Sequence, residues 1–223
     1  MVHRLRITNC LTPVKNKANY AFIITTRLII FVLQLKMSGI MDEKHKYQNF
    51  ITEIPSTAVD IYRMLPEGTR CEVIFNELSM SPSPSREHQK LLIKLTSLLF
   101  GYLTNKPIAE LFTAPFDVYF EKQQSVVQPD LFVVLNDQID IVEKNGVHGV
   151  PRLIIEIVST NRVYDTQKKR SLYESAGVKE YFIIDPENNK VTLLTLGVTG
   201  VYEQTYEETG VLKSAILSCR ISF

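Results

Sequence analysis

The stretch Pro151-Arg-Leu-Ile-Ile-Glu-Ile-Val-Ser159 is apolar along a strand-length run and carries one carboxylate, Glu156, in its middle. A nearly continuous apolar run of this length predicts a strand covered on both faces, over 153–159. A glutamate in such a run is costly to bury unless it is paired or bound to a metal. Upstream, Pro129-Asp130 opens a second apolar run, Leu131-Phe-Val-Val-Leu135, and downstream Asp165 and Lys169 stand four residues apart. Two carboxylates followed by a lysine are what metal-assisted cleavage of a phosphodiester needs. A nuclease is therefore the leading functional reading.

Outward from that run the chain alternates helix and strand signals. Residues 57–65 read as a short helix closed by the Pro66-Glu-Gly68 turn. Segments 71–75 and 78–80 read as a hairpin turning at Asn76-Glu77. Ser81-Pro-Ser-Pro-Ser85 is a rigid polar connector, and Ser85 is the natural N-cap of a helix from Arg86 to about 103. Its spacing puts Leu91, Leu95, Leu98 and Tyr102 on one core-facing stripe, with Leu92 and Leu99 beside it. Strands are expected over 111–120, 126–135 and 153–159. A second helix is expected over 165–176, capped by Asp165 or Thr166 and ended by Gly177. Another strand is expected over 181–185, and 190–196, 201–206 and a last segment near 217–221 suggest a closing meander. The layout is mixed α/β.

At 223 residues the chain can bury one well-formed core. Cysteines at 10, 71 and 219 are odd in number and contain no Cys-x-x-Cys pair. A disulfide framework or zinc site is disfavoured, and a reducing, cytoplasmic setting fits best. The net charge of +1 hides an asymmetry, because residues 1–41 hold six basic residues and no acidic one. Taking those six from 25 leaves 19 basic against 24 acidic residues in 42–223, a net of −5. The body thus lacks the broad basic field that drives sequence-independent binding to duplex DNA.

Residues 1–41 are expected to be an extension in front of a single domain spanning 42–223. The apolar segment 20–37 approaches the length of a bilayer span, but Arg27 interrupts it and no small-x-small cleavage site follows. A translation start at Met37 or Met41 is favoured over a membrane anchor.

Each candidate site residue has a plainer alternative. Asp130 could simply be a turn carboxylate at the start of its strand. Glu156 could form a structural ion pair with Arg152 or Arg162. Lys169 could belong to an exposed i,i+4 pair with Asp165, a surface feature of small energetic consequence. Lys168 and Arg170 beside it suit solvent or phosphate. His88, in the first turn of the long helix, could meet a phosphate at the helix N-terminus or be an ordinary helix-start residue.

These residues resemble the Uma2 family of endonucleases, within the PD-(D/E)XK restriction-endonuclease-like superfamily. The similar text comprises Ser81-Pro-Ser-Pro-Ser-Arg-Glu-His88, Val127-Gln-Pro-Asp130, the 151–159 stretch, Asp165-Thr-Gln-Lys-Lys169, Tyr173, Gly177-Val178 and Glu180-Tyr-Phe-Ile-Ile-Asp-Pro186. Upstream, Glu72-Val-Ile-Phe-Asn-Glu-Leu78 resembles the family's early hairpin, with Asn76 where glycine is usual and Cys71 where tyrosine is usual. The resemblance covers about 55–223. It implies a restriction-endonuclease-like core, a central mixed β-sheet flanked by helices, with an N-terminal hairpin and a C-terminal meander.

The resemblance also implies roles. Asp130 and Glu156 become the two site carboxylates. The lysine usual two residues after the glutamate is replaced by Val158, so Lys169 on the following helix takes its place. Asp130 and Glu156 would hold one Mg²⁺ or Mn²⁺, with the Ile157 carbonyl oxygen as a further ligand. His88 completes the candidate catalytic set. The implied substrate is nucleic acid, DNA ahead of RNA, and fold-level analogy suggests a homodimer. Two other readings compete. A non-catalytic nucleic-acid- or protein-binding module would suit the acidic body, and a membrane-tethered or structural protein would leave Glu156 unexplained.

Overall fold

The computed structural model describes residues 55–223 apart from 67, 82 and 159–162, and the side chains of 163–166 are also left undescribed. The readings placed on 1–41, on Ser159 and on Arg162 lie outside the described residues. In chain order the elements are α1 (Ala58–Met64), β1 (Cys71–Ile74), β2 (Glu77–Met80), α2 (Arg86–Asn105), β3 (Ala109–Thr113), β4 (Val118–Phe120) and β5 (Ser125–Val127). Then follow β6 (Leu131–Leu135), β7 (Val142–Glu143), β8 (Gly146–His148), β9 (Leu153–Ile157), α3 (Val163–Ala176) and β10 (Glu180–Ile184). The chain closes with β11 (Lys190–Leu196), β12 (Tyr202–Thr209), β13 (Val211–Ser214) and β14 (Cys219–Ser222). The fold is mixed α/β, as the element pattern predicts.

All five residues of β9 are buried. It lies inside a six-stranded sheet of order β12-β11-β10-β9-β6-β3, parallel to β10 and antiparallel to β6. Side chains alternate faces along a strand, so the apolar run divides its residues between two cores. Leu153, Ile155 and Ile157 join Leu131 and Val133 of β6 against Leu91, Leu95, Leu99 and Leu103 of α2. Ile154 joins Phe132, Val134 and Tyr181 against Leu172 and Tyr173 of α3. Glu156, two residues from Ile154, is on the α3 side. That placement sets up the site.

The second core also takes Ile74, Val118, Val127 and Val147 from another six-stranded sheet, of order β2-β1-β5-β4-β8-β7. The sequence reading did not foresee this sheet, because it ran 111–120 and 126–135 together as single strands. Pro115 and Pro129 break both runs. A proline offers no ladder N–H, and in each case the chain leaves one sheet for the other across it. The expected N-terminal hairpin is the edge of this sheet. It turns at Phe75-Asn76, one residue earlier than expected, with both φ values positive at 51° and 61°. Phe75 is a poor choice there. The turn is held by Ser125, whose hydroxyl accepts from the Phe75 N–H at 2.8 Å, and by the Asn76 carboxamide, which accepts from the Ala58 N–H at 2.6 Å.

Helix ends follow their caps. Thr57 and Asp60 form a reciprocal capping box on α1, and Ser85 caps α2 by accepting from the His88 N–H at 3.2 Å. The buried stripe of α2 is Leu91, Leu95, Leu99 and Leu103, while Leu98 is 36% exposed. The core thus sits one residue round from the expected stripe. Tyr102 instead reaches the C-terminal hairpin, donating to the Leu217 carbonyl at 2.7 Å. Helix α3 begins at Val163, so Asp165 and Thr166 lie in its first turn and do not cap it. Its end is as expected: Gly177, at φ +95°, lets Val178 N–H reach the Tyr173 carbonyl and its own N–H the Glu174 carbonyl.

The closing meander is β10-β11-β12, and the last segment is a separate hairpin, β13-β14, of which β13 was not foreseen. Glu180 fastens that hairpin to the sheet. Its carboxylate is buried and accepts from the Ser214 hydroxyl and from the Ala215 and Ile216 N–H groups at 2.5, 2.8 and 3.1 Å. Glu180→Ala would strand all three donors in the interior. We expect a loss of about 3 kcal/mol in a urea unfolding series, with Glu180→Gln losing less.

Candidate active site

Four segments bring charged side chains to the α3 side of the central sheet. Asp130, between β5 and β6, and Glu156, on β9, come from the sheets; Lys169 comes from α3 and His88 from the start of α2. They line one cleft of about 1510 Å³.

The Asp130 carboxylate is not a free turn residue. Its Oδ2 accepts from the Ile157 N–H at 2.8 Å and lies 3.1 Å from His88 Nε2. Against an acceptor, Nε2 carries a proton, while Nδ1 is buried without a hydrogen-bond partner among the described residues. His88 therefore meets a carboxylate, where the sequence suggested either a phosphate or an ordinary helix start. Ile157 enters the site through its N–H.

Glu156 does not pair with Arg152, the described one of the two arginines proposed for it. Arg152 is engaged by Asp137 at 2.9 Å. Glu156 Oε1 instead accepts from Lys169 Nζ at 3.0 Å and from the Tyr173 hydroxyl at 2.6 Å. Lys169 is accordingly no surface lysine: its side chain is 15% exposed and points into the sheet. Lys168, one residue away, turns to Glu77 of β2 at 2.6 Å, and so is held by a carboxylate.

Sequence reading missed a third carboxylate. Glu72 on β1 is 3.0 Å from Lys169 Nζ, and the same Oε1 accepts from the Gln128 N–H at 3.0 Å. The signal was present, since Cys-Glu-Val-Ile is a wholly buried apolar run broken by one glutamate, the pattern that singled out Glu156. Tyr181 also escaped attention as a site residue. It is fully buried, its hydroxyl has no partner among the described residues, and it faces the same cleft.

The electrostatics are unbalanced. Three carboxylates, those of Glu72, Asp130 and Glu156, surround one ammonium. Burial, together with the charges of Asp130 and Glu72, pushes Glu156 from an ordinary 4.5 up to about 7 against the pull of Lys169 and Tyr173. Burial alone would lower Lys169, but Glu156, Glu72 and Asp130 outweigh it and hold the ammonium protonated. The two shifts look opposed, because one favours a neutral Glu156 and the other draws on its charge. Both shifts favour keeping a proton, and each leaves the cluster less negative. Among the described residues, the cluster is short of cations.

That shortage is what a divalent ion would relieve, and the donors on hand are oxygens, as hard cations prefer. Asp130 and Glu156 each commit one named oxygen, Oδ2 and Oε1, to protein donors. Among the described residues, no three His, Cys, Asp or Glu side chains are grouped so as to hold a metal ion. Asp130 and Glu156 each keep a second carboxylate oxygen that could hold such an ion.

A family model described as "Putative restriction endonuclease", Uma2, matches residues 58–219. The chain belongs to the Uma2 family. The matched range holds every site residue named above. No curated protein matches the chain. Among solved structures, it is similar to a crystal structure described as a "putative nuclease belonging to DUF820" from Anabaena variabilis. The two share 19% identity at a TM-score of 0.59, over 75% of this chain and 95% of that one. At that identity the likeness speaks for the fold. The Uma2 description supports a nuclease acting on nucleic acid. Among the described residues, no helix is long and apolar enough to cross a membrane.

Proposed function

We propose that this Uma2 protein is a metal-dependent endonuclease that hydrolyses phosphodiester bonds, in DNA ahead of RNA. The observation that carries the reading is the gathering of two buried carboxylates, Glu72 and Glu156, and the half-buried Asp130 round the half-buried Lys169 in an open cleft. A fold gains no stability from such an excess of negative charge, and perturbed buried groups of this kind concentrate at functional sites. The restriction-endonuclease description of the family favours DNA. The free, buried thiols of Cys71 and Cys219 suit a cytoplasmic setting.

In this reading Asp130 and Glu156 would hold one Mg²⁺ or Mn²⁺ through their remaining oxygens, together with the Ile157 carbonyl oxygen. When bound, such an ion would polarise the scissile phosphate and lower the pKa of a water nearby. The protein does the rest. His88 and the Ile157 N–H fix the Asp130 carboxylate, and Tyr173 fixes that of Glu156, so that neither must reorganise as charge develops. Lys169, kept protonated, directs the attacking water or stabilises the charge building on the phosphate oxygens.

The test is a cleavage screen over single- and double-stranded DNA and RNA with Mg²⁺, Mn²⁺ or EDTA. Cleavage should need the metal and vanish in Asp130→Asn, a variant that keeps an oxygen for the Ile157 N–H. Wild-type rates in that variant, or undiminished cleavage in EDTA, would refute the assignment. A non-catalytic binding module would retain nucleic acid in every arm and cut in none.

A further inference from the structure

We propose that Glu72 is a positioning residue for Lys169, and that the β1–β2 hairpin does for this site what a strand backbone would do for a lysine two residues after Glu156. The proposal rests on the nuclease reading of the site and adds to it a residue to which no role was assigned.

Lys169 stands on a helix, at the end of a flexible four-carbon stem. One carboxylate partner would leave that ammonium free to swing about the contact. A second partner on another element fixes it. Glu72 supplies the second partner, on β1, at 3.0 Å. Glu72 is itself held, since its Oε1 also accepts from the Gln128 N–H. Gln128 lies two residues before Asp130, so one short segment carries a site carboxylate and anchors the clamp on the lysine. The next lysine along α3 repeats the grip, with Lys168 reaching Glu77 on β2 of the same hairpin. Consecutive lysines of α3 thus bind both strands of one hairpin.

The electrostatics argue against a merely structural Glu72. Lys169 already has a counter-ion in Glu156, so a neutral side chain at 72 would ease the charge excess. What a carboxylate there adds is geometry: an acceptor in fixed position, reaching backbone and ammonium together.

The experiment compares Glu72→Ala, Glu72→Asp, Glu72→Gln, Lys169→Ala and the Glu72→Ala/Lys169→Ala double variant in the full chain. Steady-state cleavage is measured, together with the ¹H–¹⁵N signal of the Lys169 ammonium in metal-free protein. Glu72→Ala should lower kcat by about 10–100-fold, the range seen when a supporting residue is removed, with KM unchanged within about twofold. Glu72→Asp keeps the charge but withdraws it by one methylene, so it gives the same loss without emptying the position. Glu72→Gln retains the double acceptor and should recover most of the rate. The double variant should be no slower than Lys169→Ala alone, because both changes remove one function. The ammonium signal should be sharp in wild type and Glu72→Gln and lost or moved in Glu72→Ala and Glu72→Asp.

Wild-type kcat in Glu72→Ala and Glu72→Asp would overturn the proposal, as would a double variant slower by the product of the single losses. A Lys169→Ala protein at full rate would overturn it too, by removing the function that Glu72 is said to position, whereas a wild-type protein that cuts no nucleic acid with any metal would instead overturn the nuclease reading. The ammonium signal still decides between the two cases: an unmoved signal in Glu72→Ala and Glu72→Asp refutes positioning whether or not the protein cuts.

Discussion

Glu156→Gln loses metal-dependent cleavage by at least about 10³-fold in kcat, yet leaves the metal-free protein more stable than wild type at mildly alkaline pH. Both effects come from one carboxylate. Burial and two neighbouring carboxylates raise its folded pKa to about 7 from an ordinary 4.5. An acid raised on folding contributes its full stability below its unfolded value and loses it as pH rises through the folded one. Wild-type stability should therefore decline between about pH 4.5 and about pH 8 through this group, and a neutral glutamine removes that decline. A shift of this size corresponds to something on the order of 3 kcal/mol. Thermal melts of both proteins in EDTA across that range check it. Curves that run parallel would show that Glu156 carries no such strain.

Lys169→Ala gives the second large effect, with the opposite sign for stability. Removing the ammonium leaves Glu156 and Glu72 buried without their shared cation, a situation that costs about 3–5 kcal/mol. Its contribution should shrink on acidification, as the carboxylates take up protons. Cleavage should fall by about 10²–10³ in kcat through loss of a preorganised charge at the transition state. Denaturant unfolding at two pH values, with turnover measured beside it, separates these losses. A protein that keeps its stability would place Lys169 outside the cluster, contrary to its 3.0 Å contacts.

Much of the centre of this fold was legible in the sequence. The 153–159 run announced a doubly covered strand, and the alternation of Leu153, Ile155 and Ile157 against Ile154 and Glu156 explains why. Ser85 and Gly177 marked helix ends because capping is a local property of a few residues. The second six-stranded sheet was not legible: Pro115 and Pro129 each sit inside an apolar stretch, and only tertiary pairing reveals that the two halves serve different sheets. The turn at Phe75-Asn76 was misplaced by one residue because nothing local favours a phenylalanine at positive φ. Its support comes from Ser125 and from the Ala58 N–H, distant in sequence.

The site divides in the same way. Glu156 stood out because a charge in an apolar strand is conspicuous by itself. Lys169 did not, since an Asp–Lys pair four apart on a helix is ordinary, and only the docking of α3 turns that lysine inward. Glu72 had the same signature as Glu156 but lay in a shorter run, within a segment read only as a hairpin. Tyr173 was quoted for its family likeness, while its hydroxyl bond to Glu156 required the structure.

Turnover of a DNA substrate in Mg²⁺ by wild type and Glu156→Gln, side by side, bears most directly on whether this cluster is a hydrolytic site. Cleavage by the wild type that EDTA abolishes, together with none by a folded Glu156→Gln protein, is the expected result. Equal cleavage by the two proteins would contradict it.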